Sequence, residues 1–255
     1  MTQLTIPDLA GKAVLVTGAS TGIGAALAKA LGAQGAMVGV HYNSSKDAAE
    51  AVAKAVKDAG GQAFLVRADA SRSGEIARAV EDTAAAFGRL DGLVNNAGGM
   101  VGRMAYADMD DAYYDKVMDL NGRSVIAASR AAIPHLKRQG GFIINTSSIA
   151  ARNGASNGAG LYGSSKALVS NITRGMAKEL VGFGIRVNAV APGRVATPMA
   201  KLSSAERNQA ALGRIPLGRF AEPDEIADSV VYLLSEQASY ITGITLNVSG
   251  GYVVS

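Results

Sequence analysis

Residues 12–24 read KAVLVTGASTGIG. Lys12 to Thr17 is a short apolar run, glycines follow at Gly18, Gly22 and Gly24, and Ile23 to Leu31 then carries a helical pattern. Strand, tight turn and helix in that order open the chain. Glycines at those three positions let the backbone turn sharply, approach a pyrophosphate and aim helix-terminal N–H groups at its charge. The spacing is not the commonest dinucleotide pattern, G-x-G-x-x-G, so the turn draws its weight from lying between a first strand and a helix.

The same alternation continues outward from this stretch. Ala36 to His41 is a second apolar run, after which Ala49, Val52, Ala53 and Val56 form one helical face. Gln62 to Arg67 reads as a strand, and Ile76, Ala79, Val80, Thr83 and Phe87 mark the next helix. Gly92 to Asn95, Gly141 to Ser147, Ile185 to Ala191 and Thr245 to Val248 read as further strands, separated by helices over Asp110 to Arg138, Leu161 to Val181 and Pro223 to Ser235. Near-continuous apolar strands between helices imply a parallel sheet buried on both faces. The expectation is a single doubly wound α/β domain of Rossmann type over residues 1–255, with about seven strands. Such sheets bind ligands beyond the carboxyl ends of their strands, which puts the chemistry after Thr17, His41, Asn95, Ser147 and Ala191.

Composition narrows the function. The 255 residues are 48% hydrophobic and 18% charged, enough apolar matter for a core. The net charge of +4 is scattered, without a block of five like charges, which argues against nucleic-acid and membrane partners. Cysteine is absent, so there is no disulfide, thiol nucleophile or thiolate metal site. Met1 to Lys12 lacks an apolar leader region, and no apolar run approaches the ~18 residues of a membrane span; a cytoplasmic protein is expected. His41 and His135 lie far apart with no clustered carboxylates, so both are read as structural and no metal is expected. The eight scattered methionines are read as packing.

Tyr162 and Lys166 stand four residues apart at the start of a helix, hence on one face. A cation about 4 to 6 Å from a phenol stabilises the phenolate and makes the hydroxyl a usable proton donor or acceptor near neutral pH. Ser147-Ser148 ends the strand before, Asn95-Asn96-Ala97-Gly98 ends the fourth, and Pro192-Gly193 ends the sixth.

With Thr17-Gly18-x-x-x-Gly22-x-Gly24, Asn121 and Thr197, these motifs resemble the short-chain dehydrogenase/reductase family over essentially the whole chain. The resemblance implies an NAD(P)-dependent oxidoreductase acting on CH–OH and C=O groups. It implies that Tyr162 is general acid in reduction and base in oxidation, that Lys166 lowers its pKa and holds the nicotinamide ribose, that Ser148 bonds the reacting oxygen, and that Asn121 supports a water relay. The cofactor would lie along Gly18, Ser20, Thr21, Gly22, Ile23 and Gly24, then Tyr42, Asn43 and Ser44, then Asp69 and Ala70 at the adenine. Asn95, Ala97 and Gly98 would border it further along, with Tyr162, Lys166, Pro192, Gly193, Val195 and Thr197 at the nicotinamide end. Ser148 precedes Tyr162 by 14 positions, about one more than in many relatives, which leaves open whether Ser147 or Ser148 faces the substrate.

NAD enzymes of this fold place an acid at the end of the second strand. Here His41 to Lys46 contains none, so NADP is favoured, with NAD possible, although Thr21 stands where many NADP-preferring relatives carry a basic residue. The substrate, a small ketone or secondary alcohol, would be gripped by Gly99 to Ala105, Ala151 to Leu161 and Arg194 to Arg214. Most relatives are tetramers, and a homotetramer packed through Asp110 to Arg138 and Leu161 to Val181 is expected. The chain also resembles 3-oxoacyl carrier-protein reductases, yet Phe183 and Gln139 occupy positions where those carry Arg; carrier-protein reduction is therefore the alternative, and a catalytically silent nucleotide-binding regulator a second one. Ser249 replaces the Asp of the family's Val-Asp-Gly-Gly.

Overall fold

The computed structural model describes residues 6–198 and 204–253. Seven strands, β1 (Ala13–Val16), β2 (Met37–Tyr42), β3 (Gln62–Arg67), β4 (Gly92–Asn95), β5 (Gly141–Thr146), β6 (Ile185–Pro192) and β7 (Thr245–Val248), form one sheet in the order β3-β2-β1-β4-β5-β6-β7. Every pairing is parallel. The chain runs outward from β1 to β3 and restarts at β4 on the other side of β1, so the loops after β1 and β4 diverge and leave a crevice between them.

Strand alternation feeds both faces: Val14 and Val16 enter one apolar cluster while Leu15 between them enters the other. The first cluster packs α1 (Gly22–Ala33), α2 (Lys46–Asp58) and α9 (Pro223–Leu234); the second packs α3 (Ser73–Phe87), α5 (Ser124–Leu136) and α7 (Gly160–Leu180). α2 buries the expected face, Ala49, Val52, Ala53 and Val56. α3 buries Ile76, Ala79, Val80 and Thr83, whereas Phe87 is only partly covered and meets Phe64 edge to face at 6.3 Å. At the amino edge of the sheet, buried Asp91 accepts from Ala13 N–H (2.8 Å), Arg89 Nε (2.8 Å) and Gln139 Nε2 (3.1 Å), tying β1, β4 and the approach to β5 together.

Three expectations are corrected. The stretch Asp110 to Arg138 is not one helix: α4 (Asp111–Met118) passes through a π-helical turn, Asp119–Arg123, before α5. The wider turn carries buried Asn121; such expansions cluster at functional sites. Second, the substrate-gripping stretch Ala151 to Leu161 begins within a short helix, α6 (Ala150–Asn153). Third, Arg194 to Arg214 is not all loop, because Ser204 caps α8 (Ala205–Leu212) by accepting from Arg207 N–H at 3.4 Å. Residues 199–203 of that stretch, and 1–5 of the expected leaderless amino terminus, lie outside the described residues. No helix among the described residues is long and apolar enough to cross a membrane.

Candidate active site

The glycine turn is built by its neighbours. Gly18 has φ +65°, and its N–H donates to His41 Nδ1 at 2.9 Å. Because Nδ1 accepts, the proton sits on Nε2, which donates to Ala68 O at 3.1 Å. Burial holds the imidazole at a pKa of about 4, so it stays neutral at physiological pH and works as a two-ended spacer between the turn and β3. From the other side, Asn96 Nδ2 donates to Thr17 O (3.0 Å) and Gly18 O (3.1 Å), and Thr17 Oγ1 accepts from Asn96 and Ala97 N–H, both at 2.9 Å. A Cβ on Gly24 would collide with Gly18 O and lie 2.6 Å from Asn96 Nδ2. Asn96 and His41 are thus residues of the site that sequence reasoning did not assign to it. The cradle admits only backbone here, which fits a pyrophosphate at the start of α1. Ser20 and Ile23 are partly exposed and Thr21 is exposed along its rim. Thr197 reaches the turn from beyond β6, its Cγ2 3.3 Å from where a Gly22 Cβ would stand.

At the far end of the crevice, Asp69 Oδ1 accepts from Ser71 N–H (3.0 Å) and Ser71 Oγ (2.7 Å), and Oδ2 stands 3.8 Å from Arg72. The Ser71 bonds first, then Arg72, hold its carboxyl below the ordinary range. Ala70 is buried. Tyr42 corrects the sequence reading, since its side chain is 9% exposed and belongs to the core beneath α1 and α2, while Asn43 and Ser44 are the exposed residues after β2. The strand parity that points His41 at the turn turns the next side chain to the opposite face. Arg67, level with Tyr42 on β3, donates from Nε to Asn43 O at 3.2 Å. A recess of ≈ 410 Å³ opens there, lined by Asn43, Arg67, Asp69, Arg72, Glu75 and Arg78. Nothing near Arg67 in the sequence marks it, because only pairing of β3 with β2 brings it to this recess.

Asn95 also differs from the reading. Its buried amide donates to Ser129 Oγ (3.0 Å) and Asn145 Oδ1 (2.8 Å), and Asn145 in turn donates to Thr173 Oγ1 (2.9 Å), a polar chain locking β4, β5, α5 and α7 beneath the site. Pro192 and Gly193 close β6, where Gly193 N–H donates to Val248 O at 2.9 Å and a Gly193 Cβ would lie 2.9 Å from Ser249 Cα. Ser249, with no carboxylate, accepts from Val253 N–H at 3.3 Å. Val195 is buried and bridges to Ala221.

The four residues expected to do chemistry meet at the carboxyl edge. The Ser148 hydroxyl stands close enough to the Tyr162 hydroxyl to oppose the rise that burial gives the phenol's pKa. Ser147 faces away and its Oγ donates to Lys166 O at 2.9 Å, with Ser170 Oγ 2.7 Å off, which leaves Ser148 as the serine beside Tyr162. Lys166 is 3% exposed, its Nζ donates to Thr146 O (2.8 Å) and lies 5.9 Å from the Tyr162 ring centre. Asn121 Oδ1 accepts from Gly99 N–H (2.9 Å) while Nδ2 donates to Gly99 O and Val117 O (both 3.0 Å). A Cβ on Gly98 would lie 2.8 Å from Asn121 Oδ1 and 3.1 Å from Lys166 Nζ, so both side chains converge on that bare backbone. Burial pushes Lys166 down to about 8 and pushes the Tyr162 phenol up. Burial is the larger influence on Tyr162, only partly opposed by Ser148, and the phenol is neutral at pH 7.

A family model described as enoyl-(acyl carrier protein) reductase matches residues 18–253. A 3-oxoacyl-[acyl-carrier-protein] reductase of Staphylococcus aureus is 40% identical over 241 residues, 94% of this chain and 97% of that protein. An NADH-dependent reductase, A1-R′, responsible for alginate metabolism superposes with TM-score 0.90 at 39% identity, covering 98% of this chain and all of that one. A short-chain dehydrogenase of Burkholderia cenocepacia solved with NADP gives TM-score 0.91 at 37% identity, over 96% and 98% of the two chains. Fold, crevice and full-length likeness agree, and the chain belongs to the short-chain dehydrogenase/reductase family as an NAD(P)-dependent enzyme of CH–OH and C=O groups.

Proposed function

We propose that the protein reduces a small free carbonyl compound with NADPH, with Tyr162 as the proton donor. The observation that carries this is the convergence of Lys166 and Asn121 on the bare Gly98 backbone, with the Ser148 hydroxyl beside that of Tyr162. When bound, the nicotinamide supplies the reducing equivalents. Ser148 and Tyr162 grip the carbonyl oxygen, and the neutral phenol delivers its proton there as charge develops. Lys166, held by Thr146 O, places a cation behind the phenol, and Asn121 fixes the Gly98–Gly99 backbone. Gly18, Gly22 and Gly24 would hold the pyrophosphate, and Thr197, Val195, Pro192 and Gly193 would line the other wall. Tyr162→Phe should lower kcat by about 10² to 10⁴ with nearly unchanged cofactor affinity; activity within threefold of wild type would reject the assignment.

The preference for NADPH rests on the absence of an acid among His41 to Lys46 and on Arg67, Arg72 and Arg78 around the neighbouring recess. Equilibrium titration of nicotinamide fluorescence should give a lower Kd for NADPH than for NADH, and the reverse order would refute it.

Carrier-protein reduction is the second reading, favoured by the likeness to the Staphylococcus enzyme. Against it, Gln139 is engaged by Asp91, and Phe183 lies under Lys137 Nζ at 3.8 Å from its ring, both at the amino ends of β5 and β6, opposite the edge bearing Tyr162. A carrier-bound 3-oxoacyl chain preferred more than about a hundredfold over the same acyl group on a small thiol, roughly 2.7 kcal/mol, would establish it. The reading extends to a cytoplasmic homotetramer; light scattering showing a monomer at micromolar concentration would reject the assembly.

A further inference from the structure

Residues 154–158 form a strained loop just ahead of Tyr162. Gly154 and Gly158 have φ +73° and +75°, but Ala155 and Asn157 between them are also left-handed, at +52° and +54°. Non-glycine residues rarely adopt that conformation unless surrounding structure enforces it. Asn153 Oδ1 accepts from Ala155 N–H at 3.0 Å, and Arg103 holds the rest of the loop, its Nη1 donating to Ser156 O (3.2 Å) and Asn157 O (2.9 Å), while Met104 N–H donates to Gly158 O at 3.0 Å. The loop after β4 is thereby zipped to the loop that leads into α7, four residues ahead of Tyr162 in the chain.

The guanidinium so fixed is incompletely used. Among the described residues, Arg103 Nε and Nη2 make no hydrogen bond, and neither Arg103 nor Arg207 forms an ion pair. Arg194, just past Pro192-Gly193, and Arg207, in the first turn of α8, are near enough that their charges, after burial, depress the Arg103 pKa. Facing groups of other character are Glu206, which bonds Ser204 beside Arg207, and Tyr113, whose hydroxyl donates to Gly102 O at 3.1 Å. The balance of formal charge is positive. Like charges gathered at the rim of a cleft raise the local concentration of anions, and a guanidinium with two unused N–H edges matches a planar carboxylate.

We infer that the substrate is an anionic carbonyl compound, whose carboxylate docks on Arg103, with Arg194 and Arg207 adding charge at the same rim. This rests on the oxidoreductase reading above but not on the choice of cofactor.

The test uses the full-length enzyme with NADPH and NADH and a panel of linear and cyclic keto acids, each paired with its methyl ester. Turnover is measured, together with binding to the enzyme–cofactor complex by nicotinamide fluorescence. The best acid should exceed its ester about ten- to a hundredfold in kcat/KM and in Kd, and the advantage should shrink with added salt. Arg103→Met should abolish it and Arg103→Lys restore part. Arg207→Met, which leaves the zipped loop intact, should reduce it several-fold, and Lys57→Met, an exposed cation in the last turn of α2, should not change it. Esters equal to or better than acids, binding of no acid on the panel, or an advantage that survives both Arg103→Met and Arg207→Met would overturn the inference. Turnover of uncharged ketones alone would do so while leaving the oxidoreductase reading intact; no turnover of any carbonyl with either cofactor would refute that reading itself.

Discussion

Replacing Lys166 with Met should make the protein more stable at pH 7 and nearly inactive. The ammonium is 3% exposed, and burial pulls its pKa from 10.5 to about 8. A gap of about 2.5 pH units at ~1.36 kcal/mol each is a cost of about 3 kcal/mol for holding the charged form in the folded protein. Below pH 8 folded and unfolded chains both carry the proton and the cost is felt in full. Between pH 8 and 10.5 the folded chain sheds its proton first, the unfolded chain binds more, and stability rises with pH. Met fills similar volume without charge but strands the Thr146 carbonyl, now bonded at 2.8 Å, a loss of about 1 to 2 kcal/mol. The variant should therefore gain about 1 to 2 kcal/mol at pH 7, lose that lead through pH 8 to 10, and fall behind wild type above. Urea denaturation of both proteins at equal concentration, in half-unit pH steps from 7 to 10.5, measures the difference directly. A variant less stable than wild type at pH 7, or a difference independent of pH, would refute the reasoning.

Ser148→Ala should lower kcat by about 10² or more, whereas Ser147→Ala should cost about 1 kcal/mol of stability with activity within a few-fold; equal activity losses would show that the two serines are misassigned. Asn43→Asp should move preference towards NADH, and Arg67→Glu should do the same through NADPH affinity alone, both read as Kd ratios; Tyr42→Asp should instead destabilise, because it buries a carboxylate beneath α1 and α2. His41→Leu leaves Gly18 N–H and Ala68 O unpaired and should cost about 2 to 4 kcal/mol by denaturation, while weakening binding of both cofactors alike; a variant that bound them normally would show the imidazole is not what holds the turn. Because burial raises the Tyr162 pKa, the rate of alcohol oxidation should keep rising with pH above neutrality, and a plateau below pH 7 would contradict that direction.

Periodicity in the chain was enough to place all seven strands within about a residue of where they lie, because each buried parallel strand is an apolar run bounded by turn residues. The glycine turn and the Tyr162–Lys166 pair were legible for a similar reason, since both are local and a helix sets their geometry from the spacing alone. What the sequence could not settle depends on contacts between segments far apart. The π-helical turn at Asp119–Arg123 follows from Asn121 bonding Gly99, and the choice of Ser148 over Ser147 follows from how α7 seats Lys166 O against β5. Tyr42 and Asn95 carry names that suit a binding site, yet the sheet turns both side chains into packed layers. Arg67 and Arg103 look like ordinary surface charges until β3 pairs with β2 and the loop at 154–158 wraps the guanidinium. Motif chemistry is written in neighbouring residues; the positive charge gathered around Arg67 and Arg103 is assembled by strand pairing and loop contacts, so only the folded chain decides where it stands.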